Sequence, residues 1–117
     1  MELEPVKGEA EVFVIAGGGT GRNVYRDLQR HGIPFTTGIL FQNDVDYPVA
    51  KALATEVIMA EAFEPVTEEL LEKAKQKLDF CKEVICCKSK FGSLEWANKA
   101  LLAYANSIGK VVEIKSV

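Results

Sequence analysis

Residues 11–21 read EVFVIAGGGTG, and the fold turns on this stretch. Glu11 to Ala16 is a short apolar run rich in β-forming residues, and it ends in Gly17-Gly18-Gly19-Thr20-Gly21. A continuous apolar run closed by glycines predicts a strand covered on both faces, as in a parallel sheet. The next segment, Arg22 to Arg30, places Val24, Tyr25 and Leu28 on one side and charges on the other. That pattern predicts an amphipathic helix with Gly32 as its C-cap and Pro34 just beyond. Phe35 to Phe41 then returns to strand character.

The alternation continues to the end of the chain. Asp46 reads as a helix N-cap with Pro48 in the first turn, and a short helix runs to about Ala54. Glu56 to Ala60 is a third strand. Thr67 caps the next helix, which carries Leu70, Leu71, Ala74 and Leu78 on one face. Glu83 to Cys87 is a fourth strand. Ser93 opens the longest helix, with an inward stripe of Leu94, Ala97, Leu101, Tyr104 and Ile108; Gly109 ends it, and Lys110 to Ile114 is the last strand.

Five strands alternating with four helices predict a three-layer, Rossmann-like α/β domain with a mostly parallel five-stranded sheet. Right-handed crossovers, and strands apolar enough to need helices on both faces, point to the order 3-2-1-4-5. Residues 1–10 read as a loose lead-in and residues 11–117 as one domain.

Composition narrows the function classes. The 117 residues are 48% hydrophobic and 26% charged, the balance of a globular domain. Fourteen Lys and Arg against seventeen Asp and Glu leave a net charge of -3, which disfavours bulk nucleic-acid binding. No apolar run approaches the roughly 20 residues that cross a bilayer, so direct membrane insertion is not expected. The acidic start, Met1-Glu2-Leu3-Glu4-Pro5, lacks the basic and apolar regions of a signal peptide. Three cysteines, two of them adjacent at Cys86 and Cys87, do not form a disulfide framework, and a cytoplasmic location is the expectation. With His31 the single histidine, a multi-histidine metal centre is excluded, and no metal site is expected.

In open parallel sheets, ligands bind beyond the carboxyl ends of the strands, where the strand order reverses. For the order 3-2-1-4-5 this crevice lies between the first and fourth strands. It brings the glycine segment opposite the loop that begins Lys88-Ser89-Lys90. Gly17, Gly18, Gly19, Thr20 and Gly21 suit an anion: glycine backbone can present N–H groups, and a helix N-terminus adds partial positive charge. Lys88 and Lys90 add point charges from the facing wall. Asp44 and Asp46 follow the second strand, where an acidic residue binds ribose hydroxyls in dinucleotide folds.

Other patterns fail. The fingerprint G-x-G-x-x-G needs a glycine where Arg22 stands, and no G-K-[ST] triplet occurs, so this chain lacks the means to hydrolyse ATP. The cysteines have no adjacent base and read as structural; His31 reads as a partner of the first helix's C-terminal dipole. Trp96 falls to one side of its helix's apolar stripe, where it would be part-exposed.

The segment Val14 to Gly21, together with Thr37-Gly38-Ile39-Leu40, Asp44 and Asp46 with Val49-Ala50, Ala62-Phe63-Glu64-Pro65-Val66 and Phe91-Gly92-Ser93-Leu94, resembles a known family. It is the accessory domain that follows the nucleotide-binding domain in some ATP-binding subunits of ABC transporters of the iron-siderophore and cobalamin import class. The chain departs from that pattern at Asn43, where glycine is frequent, and in the basic run at Lys88 and Lys90. The resemblance implies a non-catalytic, cytoplasmic regulatory domain, membrane-associated only through a transporter complex, whose partner is an ABC-transporter ATPase domain. It names no cofactor and no ligand.

Three readings follow. In the first, this regulatory domain holds a small anionic or nucleotide-like ligand at the glycine segment, with no enzymatic activity of its own. In the second, a small nucleotide- or dinucleotide-dependent enzyme uses the same pocket. In the third, the chain is a structural domain that forms a homodimer through helices around Trp96.

Overall fold

The computed structural model describes residues 10–15, 18–41, 45–60, 66–87 and 95–115. Their order is β1 (Val12–Ile15), α1 (Gly18–Arg30), β2 (Phe35–Phe41), α2 (Asp46–Leu53), β3 (Glu56–Ala60), α3 (Glu68–Phe80), β4 (Glu83–Cys87), α4 (Glu95–Ser107) and β5 (Val111–Lys115). The strands form one sheet in the order β3-β2-β1-β4-β5, and every pairing is parallel. The Rossmann-like α/β architecture and strand order read from the sequence are thus those of the molecule.

Register and packing sort the side chains into two faces. Val12 lies beside Phe35 and Val14 beside Thr37, while Val14 also lies beside Ile85. Tyr25 of α1 stacks on Phe35 with ring centroids 5.6 Å apart and planes 14° from parallel. Since alternate strand residues share a face, α1 covers the side that carries Val12, Val14, Phe35, Thr37 and Ile85. Phe13, Ile15, Thr36, Val84 and Cys86 face the opposite layer. Helices α1 and α2 pack together, as do α3 and α4, consistent with right-handed crossovers on both faces. Phe13, Val14, Ile15, Phe35 and Ile39 are fully buried in the centre.

Local chemistry fixes the element ends. Thr67 is the N-cap of α3, its side chain accepting from the Leu70 N–H at 3.2 Å. Gly32 and Gly109 follow α1 and α4 with φ of +67° and +74°, the left-handed turn that stops a helix. His31 Nδ1 donates to the Asp27 carbonyl at 2.7 Å, as expected for a histidine at a helix C-terminus.

Several boundaries differ from the sequence reading: β1 starts at Val12 rather than Glu11, and β5 runs to Lys115 rather than Ile114. Helix α1 begins at Gly18, one turn before Arg22, because the burial of Val24, Tyr25 and Leu28 carries the glycines into the helix against their propensity. Asp46 is not the N-cap of α2. That position is Val45, already in right-handed helical conformation and without a side-chain cap, so Asp46 stands one residue inside the helix. Helix α2 ends at Leu53, with Ala54 extended after it. Strand β5 starts at Val111 because the Lys110 N–H closes the turn after α4, donating to the Ala105 carbonyl at 3.0 Å; its Nζ donates to the carbonyls of Asp79 and Cys81 at 2.7 and 2.6 Å. The proposed start of α4 at Ser93 and its first stripe residue, Leu94, lie outside the described residues. Of the rest of the stripe, Ala97 and Leu101 are buried, while Ile108 is 39% exposed and Asn98 takes an unforeseen buried place.

Candidate functional site

The order β3-β2-β1-β4-β5 puts the switch point between β1 and β4, at their carboxyl ends. Helix α1 departs from β1 there. Gly18, Gly19 and Thr20 form its first turn and Gly21, next in line, is buried. The segment read as a loop is therefore helical from Gly18, and its first N–H groups have no carbonyl partner within the helix. No acidic side chain stands in this turn, so the positive end of the helix dipole is not neutralised by its own residues. Arg22 follows, half-buried.

A second polar feature lies on β2. Two residues after Phe35 is Thr37, a rise of about 7 Å. Since Tyr25 stacks on Phe35, Thr37 lies on the same face of the sheet as α1, nearer the carboxyl end of β2 than Phe35. Thr37 is fully buried, and its Oγ1 has no hydrogen-bond partner among the described residues. A buried, unpaired hydroxyl is costly. Thr37→Val keeps the shape and removes the hydroxyl, so it is expected to raise stability by about 1 kcal/mol in urea denaturation. A loss of stability would show that the hydroxyl is paired in solution. Asn98, on the other face, is the second such group: its Oδ1 is buried without a partner among the described residues.

The remaining residues expected at this site distribute as follows. Gly17, Asp44, Lys88 and Lys90 lie outside the described residues. Asp46 opens α2. Thr37 was not anticipated as a site residue, and periodicity could not have marked it, because threonine is a common strand residue.

The three cysteines are free thiols buried in the core. Cys86 and Cys87 are fully buried and Cys81 is 1% exposed. The Cys81 Sγ donates to the Lys77 carbonyl at 3.4 Å. The Cys81 thiol is raised from its ordinary 9.0 to about 11: burial is the main cause, Lys110 opposes it, Glu56 adds to it, and a hydrogen bond with Thr36 opposes it. The folded state thus favours the neutral thiol. Its contribution to stability is complete below pH 9.0 and is lost as pH rises through about 11. Urea midpoints measured across this window should fall more steeply for the native chain than for Cys81→Ala.

A concavity sits at the opposite end of the sheet. It is a cleft of about 350 Å³ at the amino ends of β2 and β3, bordered by Thr36, Glu56, Lys77, Phe80 and Cys81. Among the described residues no three His, Cys, Asp or Glu side chains gather to hold a metal ion. Nor, among them, is any helix long and apolar enough to cross a membrane.

A family model, described as the MJ0874 family, matches residues 35–116, from the first residue of β2 to one residue past β5. The chain belongs to the MJ0874 family. A relative, described as uncharacterized protein MJ0874 of Methanocaldococcus jannaschii, is 29% identical over 72 residues, covering 62% of this chain and 77% of that protein. The stretch shared with the family model starts at β2, so Thr37 lies within it while β1 and the glycine-rich first turn of α1 precede it.

Proposed function

We propose that this chain is a non-catalytic ligand-sensing domain that binds a small anionic or nucleotide-like ligand at the carboxyl end of β1. The observation that carries this reading is the first turn of α1: a 13-residue helix opens at the sheet's switch point with glycines and without an acidic side chain. That combination suits close backbone approach to an anion. Lys88 and Lys90 come after β4 in the sequence, and in this reading they supply the cations that meet the ligand. Ligand occupancy would act by favouring one of two states of a partner. The resemblance in the glycine segment and the later motifs names that partner as the ATPase domain of an ABC transporter for iron complexes or cobalamin.

A thermal-shift panel of ATP, NAD, inorganic phosphate, a corrinoid and a ferric siderophore tests this. A ligand at about 100 times its Kd stabilises by about 2.7 kcal/mol. For a domain of this size that corresponds to roughly 10 °C. The shift should disappear in Lys88→Ala or Lys90→Ala, whose own unliganded midpoints should stay unchanged. A panel in which no compound moves the midpoint defeats the reading. The bound compound should also be recovered unaltered, since turnover would make the chain an enzyme.

One observation favours a structural role instead. Trp96, Ile108, Val111 and Ile114 are 48%, 39%, 68% and 48% exposed, and all four lie on α4, the turn after it or the edge strand β5. Sedimentation of a ligand-free dimer that Trp96→Ala dissociates would support it.

A further inference from the structure

The cleft at the amino ends of β2 and β3 lies at the far end of the sheet from the proposed anion site. Its position follows from the topology. Thr36 and Glu56 pair in register at the start of their strands, and Cys81 follows α3 on its way into β4. At about 350 Å³ the cleft is at the lower end of the range of about 300–1,000 Å³ for small-molecule sites. It belongs with compact ligands.

The charges in it are few and opposed. Among the described residues that line it, Glu56 and Lys77 alone are charged, and they meet at 2.9 Å with side chains 41% and 37% exposed. Lys110 stands nearby, but its Nζ donates to the carbonyls of Asp79 and Cys81 at the end of α3. The Cys81 thiol is likewise engaged with the Lys77 carbonyl. At the rim, Phe80 is 85% exposed, an unusual place for a phenylalanine.

We infer that this cleft binds a zwitterionic α-amino acid with an apolar or aromatic side chain. The carboxylate goes to Lys77 Nζ, the ammonium to a Glu56 carboxylate oxygen, and the side chain lies against the Phe80 ring. The selection rule comes from the ion pair itself. A singly charged ligand that captures one member leaves the other without its partner. A zwitterion exchanges one pair for two and leaves neither unpaired. The exchange is inexpensive because a half-exposed surface pair contributes little to stability. The Phe80 ring supplies apolar surface that only an occupied cleft covers. No covalent step is involved, since the nearby thiol is buried and held neutral.

The test is an amide-resolved NMR titration of the full chain with three probes: L-phenylalanine, phenethylamine, which carries only the ammonium, and phenylpropionate, which carries only the carboxylate. L-Phenylalanine should give saturable shifts at Glu56, Phe80 and Cys81, and each singly charged analogue should bind roughly tenfold more weakly. Glu56→Gln should reduce L-phenylalanine to the level of phenylpropionate. Lys77→Met should reduce it to that of phenethylamine. Phe80→Ala should weaken binding by roughly tenfold. All three side chains are substantially exposed, so the variants should keep native spectra away from the cleft. The inference is overturned if L-phenylalanine gives no saturable shift at about 10 mM, if either analogue matches it, or if Glu56→Gln binds it unchanged. None of these outcomes depends on the anion panel, whose variants lie after β4.

Discussion

Phe35→Ala is expected to lower the stability of the chain by about 3–5 kcal/mol, the cost of truncating a fully buried aromatic. Phe35 has no exposed surface and is the face on which Tyr25 stacks, at 5.6 Å between centroids. The loss therefore combines unfilled volume with the seat of α1 on the sheet. The strand itself should persist: the Phe35 carbonyl accepts from Thr55 N–H at 2.9 Å, a bond the substitution leaves in place. A domain with about 5–15 kcal/mol in total would be left marginal. The check is urea denaturation followed by far-ultraviolet circular dichroism, with Phe35→Leu as the volume-conserving control. A loss under about 1 kcal/mol would mean that the Tyr25 stack does not hold α1. Because the first turn of α1 is the proposed ligand site, the same variant should also blunt any ligand-induced thermal shift.

Gly38→Ala is the second large effect, with an expected loss of about 1–3 kcal/mol and a greater loss for Gly38→Val. An added Cβ would come within 3.0 Å of the Val14 carbonyl oxygen and 3.4 Å of the Ile15 Cα. Both atoms are main chain in the central strand, so no rotamer change relieves the contact. Gly38 also sits where the β2–β3 register shifts, between Thr37 and Ile39, and the extra residue bends the strand there. Any relief must move β1 just before its carboxyl end, where α1 departs. Denaturation midpoints measure the stability loss, and amide shifts in the first turn of α1 would report the displacement. Native stability in Gly38→Ala would show that β1 and β2 are further apart than this geometry.

Much of this architecture is legible in the chain because its signals are local. Phe35–Phe41, Glu56–Ala60 and Glu83–Cys87 are apolar runs bounded by turns, and the structure gives these same spans as strands. Thr67 announces α3 because its side chain bonds only three residues away. The misread positions are those where a distant contact overrides the neighbour rule. Gly18 is helical because Tyr25, two turns on, is pinned to Phe35. The side-chain bonds of Lys110 to two carbonyls at the end of α3, 29 and 31 residues earlier, are likewise beyond any neighbour rule. Asp46 fails as a cap because Val45 already has helical backbone angles.

The candidate sites divide along the same line. That a glycine-rich helix start would lie at a switch point follows from the sequence, because strand–helix alternation and crossover handedness leave few orders open. The unpaired Thr37 hydroxyl does not follow, since it depends on how the helices pack over β2. Nor does the Glu56–Lys77 cleft, whose two charges are 21 residues apart and meet only because β3 begins beside the end of α3. By itself, then, the sequence determined the alternation of elements, the order of the sheet and the place of the glycine turn, all set by short-range periodicity and chain chirality. The tertiary structure alone decided which polar groups are buried without partners and which charges share a cavity, because those depend on distances between residues that the chain does not hold together.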